Sequence, residues 1–117
     1  MVATSPPVIR CTLDECRHIA KQAYTTFPLL KDDQDLVERA RVFQALGNET
    51  RLKILGLLAV QDLCMCDITT TLESAASTIT HHLRMLQDAN LIVPHQEGRF
   101  TVYSLNREPL EKHRVFE

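Results

Sequence analysis

The chain has 117 residues, 44% of them hydrophobic, with four cysteines, three glycines, five prolines and a formal net charge of −2. That is enough apolar side chain for one compact domain with its own core, and it excludes a low-complexity or disulfide-stapled chain. No apolar run approaches the roughly 20 residues of a membrane span, so no membrane partner is expected.

Residues 1–11 contain Pro6-Pro7 and no apolar signal core, and are expected to be a flexible arm ahead of a single domain over residues 12–117. Without an export signal the expected location is cytoplasmic. There thiols stay reduced and serve as metal ligands or redox groups rather than structural bridges.

Thr12-Leu13-Asp14-Glu15 has the capping-box form that opens a helix, and apolar residues then recur at Cys16, Ile19, Ala20, Ala23 and Phe27 before Pro28 stops it. A second helix is expected over 33–46, with acids in its first turn and Leu36, Val37, Ala40, Phe43 and Leu46 facing inward. Gly47 is its stop and Asn48 the next N-cap. A third helix follows, apolar over a broad arc at Leu52, Ile54, Leu55, Leu57 and Leu58, as suits a central position in a core.

After Cys64-Met65-Cys66, Asp67 is placed to cap a short helix ending at Leu72. A turn at Glu73-Ser74 leads to a helix over 75–89, buried through Ile79, Leu83 and Leu86. Its other faces carry Ser77, Thr78, Thr80, His81 and Arg84. Two short helices joined by a tight turn, the second polar at its start, form the pattern of a helix-turn-helix. Residues 91–93 and 100–105 read as two strands with Glu97-Gly98 as the hairpin turn, and such a hairpin beside a reading helix is a wing. Residues 106–117 are mostly polar, enough for one short helix. The expected fold is mainly α with a small β-hairpin, a winged helix-turn-helix.

The phrases Phe43-Gln44-Ala45-Leu46-Gly47-Asn48-Glu49-Thr50-Arg51-Leu52-Lys53-Ile54-Leu55 and Leu63-Cys64-Met65-Cys66-Asp67-Ile68 resemble the ArsR/SmtB group of bacterial metal-sensing repressors. So do Ser77-Thr78-Ile79-Thr80-His81-His82-Leu83-Arg84-Met85-Leu86, Glu97-Gly98-Arg99 and Tyr103-Ser104-Leu105, in the same order over roughly residues 36 to 105. The Cys-x-Cys element with an N-terminal cysteine pair resembles the cadmium- and lead-sensing branch. The resemblance implies a homodimer that holds double-stranded operator DNA when metal-free and releases it when the ion binds. It further implies that the N-terminal arm of one protomer reaches Cys64 and Cys66 of the other. Ala75-Ala76 stands where the family often has Ser-Gln, and Thr69 stands where the arsenite-sensing version adds a cysteine. The family's other metal site, on a long C-terminal helix, has no clear counterpart after Leu105.

The candidate metal ligands are Cys11, Cys16, Cys64 and Cys66. With Thr12 as N-cap, Cys11 and Cys16 fall at the two positions that meet in a hydrophobic staple. Cys64 and Cys66 diverge by about 160° in a helix and share a side only in extended backbone, so irregular backbone is expected there. A nearby helix N-terminus favours thiolate. Four thiolates make a soft site for Cd2+ or Pb2+, with Zn2+ or As(III) as alternatives, and exclude magnesium and calcium. Cys64 and Cys66 also admit a redox reading, in which they oxidise instead of binding metal. The bland alternative for each cysteine is a small buried hydrophobe.

Given the resemblance, Ser77, Thr78, Thr80, His81 and Arg84 are the candidate DNA contacts, with Arg99 on the wing reaching phosphate and His82 packing internally. The net charge does not oppose this, since acids cluster early at Asp32, Asp33, Asp35 and Glu38. No Cys-x-x-Cys redox pair and no nucleophile–base–orienter set is present, so neither an enzyme nor a small-molecule substrate is expected.

Overall fold

The computed structural model describes residues 11–114. Contacts divide the chain into two units, Met1–Leu36 and Val37–Glu117, each described by itself.

In the first unit, α1 (Leu13–Thr26) starts where the sequence places it. Thr12 is extended, and its hydroxyl accepts the Glu15 N–H at 3.2 Å. The Phe27 N–H closes on the Ala23 carbonyl, and Pro28 opens a short 3-10 turn, Pro28–Lys31. No α1 residue is buried. α2 (Asp33–Leu46) then begins with the Asp32 carboxylate accepting the N–H groups of Gln34 and Asp35.

In the second unit α2 buries Val42 and Ala45, whereas Val37 and Phe43 are 58% and 49% exposed. Of the expected inward stripe, Leu46 packs against the core and Leu36 is half-buried, while Val37, Ala40 and Phe43 are exposed, which corrects those three. The helix offers two apolar stripes, and periodicity alone does not choose between them. α3 (Glu49–Val60) is capped by the Asn48 side chain, which accepts the Arg51 N–H at 3.1 Å. It buries Ile54, Leu55 and Leu58, but also Arg51, and Leu52 is turned half outward. The reason is that Arg51 faces inward and finds three acceptors there.

α4 (Met65–Leu72) and α5 (Ala76–Asp88) are joined through Glu73, whose φ of 51° makes the left-handed turn. The sheet has three strands, β1 (Leu63–Cys64), β2 (Ile92–Glu97) and β3 (Phe100–Leu105), antiparallel in the order β1-β3-β2. β1 is absent from the sequence reading because two residues carry no period. β2 runs through Pro94, tolerated because β2 is an edge strand. Glu97 pairs with Phe100, so the turn is Gly98-Arg99, one residue later than expected. Gly98 has φ +61° at the first turn position, the type II′ pattern that matches strand twist.

α6 (Arg107–Lys112) is capped by Asn106 and sends Leu110 fully into the core beside Val42, Ile54, Ile68, Ile79, Leu83, Leu86 and Leu91. The carboxylate of Glu38 on α2 lies 3.4 Å from the Lys112 amine and 3.6 Å from His113 Nε2. The result is a winged helix-turn-helix: α4 and α5 the helix pair, β2–β3 the wing.

Candidate nucleic-acid interface and thiol cleft

Ser77, Thr78, Thr80, His81 and Arg84 are all exposed on α5, opposite the buried stripe of Ile79, His82, Leu83 and Leu86. The backbone enters α5 extended at Ala75, and no side chain caps its first N–H groups. Helix-start N–H groups of this kind suit phosphate. Thr80, equally exposed, also makes contacts within the protein. Its hydroxyl is 2.8 Å from its own helix's Ala76 carbonyl and 3.2 Å from Met65 Sδ on α4. Arg99 is exposed in the wing turn.

His82 packs internally as expected and is 8% exposed. Its Nδ1 lies 3.2 Å from Arg51 Nη1. Arg51 can only donate, so Nδ1 accepts and the ring proton sits on Nε2. The same guanidinium donates to the carbonyls of Ala45 at 2.6 Å and Gln44 at 3.4 Å. One arginine on α3 thus ties the end of α2 to the back of α5. Sequence reasoning missed it because an arginine in an apolar helix reads as a surface residue.

Burial, then the Arg51 cation and His81, push the His82 imidazole below its ordinary range. A histidine held lower in the fold than in the open chain contributes stability that is present above its unfolded value, about 6.5. That stability is lost as the pH falls through the lower folded value. The urea midpoint is therefore expected to drop on acidification below about pH 6.5. His82→Asn, which keeps an acceptor near the Nδ1 position but does not titrate, should show a shallower drop over the same range. Identical slopes for the two proteins would refute this account.

All four cysteines are free; Cys16 and Cys66 are exposed, and Cys11 and Cys64 are partly so. None is the small buried hydrophobe of the bland reading. Cys64 lies at a change of backbone, extended (φ −82°, ψ 166°) before helical Met65 and Cys66. Asp67 is the third helical residue rather than the N-cap. Its Oδ2 accepts both the Cys64 N–H at 3.3 Å and the Cys64 thiol at 3.1 Å, a capping box with cysteine in the serine position. The S–H···O bond to this carboxylate, with burial and the carboxylate's charge, holds the Cys64 thiol above its ordinary range. This reverses the expectation that the helix start favours thiolate.

Cys64 and Cys66 line one open cleft of about 560 Å³ with Asp62, Asp67, Glu97, Phe100 and Val102. An adjoining cleft of about 240 Å³ adds Met65, Arg99, Thr101 and Tyr103. Two thiols and three carboxylates against an apolar floor suit a soft or borderline cation. Among the described residues, no group of three or more His, Cys, Asp and Glu is already gathered for a metal. Cys11 and Cys16 flank the Thr12 cap in the other unit.

The model of the bacterial regulatory protein arsR family matches residues 48–93. A cadmium resistance transcriptional regulatory protein CadC homolog of Staphylococcus aureus is 36% identical over 80 residues, 68% of this chain and 66% of that protein. The transcriptional repressor SdpR of Bacillus subtilis is 40% identical over 70 residues, 60% of this chain and 78% of that protein. Among solved structures, a homodimeric winged helix-turn-helix DNA-binding domain from Mycobacterium bovis superposes with a TM-score of 0.65 at 27% identity. It covers 73% of this chain and 82% of that one, and is described as a possible ArsR-family transcriptional regulator. The chain spans just under two thirds of the S. aureus relative and more than three quarters of the B. subtilis one. With helix pair, wing and sequence in agreement, the chain belongs to the arsR family of bacterial regulatory proteins.

Proposed function

We propose that the protein is a cytoplasmic, homodimeric transcriptional repressor that binds operator DNA and releases it when cysteine thiolates take up a soft metal ion. The carrying observation is the cleft in which Cys64 and Cys66 stand together at the start of the helix-turn-helix. The names of the relatives support it, one a cadmium-resistance regulator and one a repressor. The homodimeric M. bovis neighbour supports the dimer. No helix among the described residues is long and apolar enough to cross a membrane.

In this reading the α5 face of Ser77, Thr78, Thr80, His81 and Arg84 enters the major groove, and Arg99 meets phosphate. Cys64 and Cys66 are the central ligands and Cys11 and Cys16 the further candidates. Cd2+ or Pb2+ is placed ahead of Zn2+ and As(III) on the likeness to the cadmium-resistance regulator, since thiols with carboxylates beside them suit Zn2+ as well. Bound there, such an ion supplies only charge and strong metal–sulfur bonds. The protein's part is to give up the Cys64–Asp67 hydrogen bond and let the first turn of α4 adjust. Release follows if the free dimer binds the ion more tightly than the DNA-bound dimer does.

The test is a titration of the reduced protein with cadmium under argon. Thiolate-to-metal absorption and binding to a duplex, selected from a random pool by the metal-free protein, are followed together. Absorption saturating near about one ion per protomer, with loss of DNA over the same range, is expected. DNA binding without any absorption band would move the reading to thiol oxidation, which two accessible thiols in one cleft also permit.

A further inference from the structure

The segment Cys64-Met65-Cys66 touches each part of the DNA-reading unit. Cys64 pairs with Val102 on wing strand β3 and caps α4. Cys66 shares a cleft with Arg99 and Phe100 of the wing. Met65, between them, is half-buried against the core, and its sulfur lies 3.2 Å from the Thr80 hydroxyl of α5. That hydroxyl has one hydrogen and two acceptors, the Ala76 carbonyl at 2.8 Å and the thioether.

We propose that Met65 is a positioning residue that transmits the state of the two flanking thiols to α5. The inference rests on the soft-ion reading above and adds the route by which it reaches the DNA-facing helix. The physical reason lies in the backbone. Side chains two apart point the same way only in extended chain, where the residue between them points oppositely; in a helix they diverge by about 160°. Here Cys64 is extended while Met65 and Cys66 are helical. Drawing both sulfurs onto one centre therefore turns the residue between them. Met65 cannot turn without leaving Thr80 and the core surface it covers. Thr80 then gives its hydrogen wholly to Ala76, and the first turns of α5 lose a contact to α4. Because β1 is hydrogen-bonded to β3, the same adjustment tugs on the wing. The route is thus assigned to one side chain that lies between the thiols in sequence and touches α5 in space, and a second position for it is what the test looks for.

The test compares wild type with Met65→Leu, which keeps the apolar volume and removes the sulfur, and with Thr80→Val, which removes the hydroxyl. Three quantities are read: the cadmium–thiolate absorption band, the Met65 methyl resonance in the DNA-free protein with and without cadmium, and the ratio of DNA affinities without and with cadmium. The methyl resonance is expected to shift on cadmium addition. Met65→Leu should keep the band yet lose at least about fivefold of the affinity ratio, within the range of ordinary coupling energies, and Thr80→Val should do the same. An intact band with an unchanged ratio in both variants overturns the relay and leaves the soft-ion reading standing. A wild-type protein with no band overturns that reading itself, and the relay with it.

Discussion

Replacing Arg51 with methionine is expected to cost about 3 kcal/mol of folding stability, read as a lowered urea midpoint at fixed protein concentration near pH 7.5. Methionine keeps the apolar stem, so the loss is that of hydrogen bonds rather than volume. What remains behind without a partner is a buried Ala45 carbonyl and the Nδ1 of a buried His82, both previously met by one guanidinium, whereas the Gln44 carbonyl keeps the Gly47 N–H at 3.3 Å. Each buried group left without a partner costs about 1–3 kcal/mol. The Gln44 carbonyl, still bonded to Gly47, adds little to the sum. Against a total stability of about 5–15 kcal/mol this is a large fraction. Arg51→Lys should fall between the two, because an ammonium carries the charge but does not present a planar fork to three acceptors at once. A methionine variant within about 0.5 kcal/mol of wild type, the usual range for surface substitutions, would show that the network is incidental. DNA affinity should fall with stability, since His82 sits on the helix whose other face carries His81 and Arg84.

Much of the fold was legible in the sequence wherever a local chemical signal coincided with a boundary. Thr12 and Asn48 cap helices because each has a side-chain oxygen three residues ahead of a free backbone N–H. The α2 limits, Asp33 to Leu46, follow from the acids at one end and Gly47-Asn48 at the other. Which face a helix buries was less legible. In α2 and α3 the apolar residues cover more than one stripe, and the choice is made by residues far along the chain: for Val42 a core cluster that extends to Leu110, and for Arg51 His82. The wing turn slipped by one residue for a related reason. Glycine marks the turn, but only the Glu97–Phe100 pairing says on which side of it the strand ends.

The site divides in the same way. Ser77, Thr78, His81 and Arg84 were legible as one polar face because Ile79, Leu83 and Leu86 fix the opposite one. The pairing of Cys64 with a carboxylate was not, since the residues suggested Asp67 as an N-cap. Capping from the third helical position instead places the acid against the thiol. Nor could spacing alone bring the wing to the cysteines. That requires the two-residue strand β1, which sets Cys64 opposite Val102 and so carries Phe100 to the wall of the thiol cleft.

Cys64→Ser is expected to be the most informative single change to the response, lowering cadmium affinity by about 100-fold or more while leaving the fold intact. The two halves of that expectation have separate causes. Serine is a better N-cap than cysteine, and its hydroxyl can donate to the same Asp67 oxygen, so the start of α4 and the β1–β3 pairing have no reason to change. A hydroxyl does not ionise to replace a thiolate, so the soft cation loses one of its strong bonds. Even disturbing the groups that orient a ligand costs about 10–100-fold in affinity, and removing a ligand should cost at least that. Cys66→Ser should behave alike, because Cys66 is exposed on the same cleft and contributes nothing to the core. Metal-free DNA binding within about twofold of wild type, together with a weakened absorption band that needs higher cadmium and loss of release at wild-type cadmium concentrations, is the expected pattern for both. Cys11→Ser and Cys16→Ser read the second pair in the same assay: a weakened band assigns them as ligands, and an unchanged one confines the site to the Cys-Met-Cys segment. If Cys64→Ser still released DNA at wild-type cadmium concentrations, the cleft would not be the sensor, however well its chemistry suits the ion.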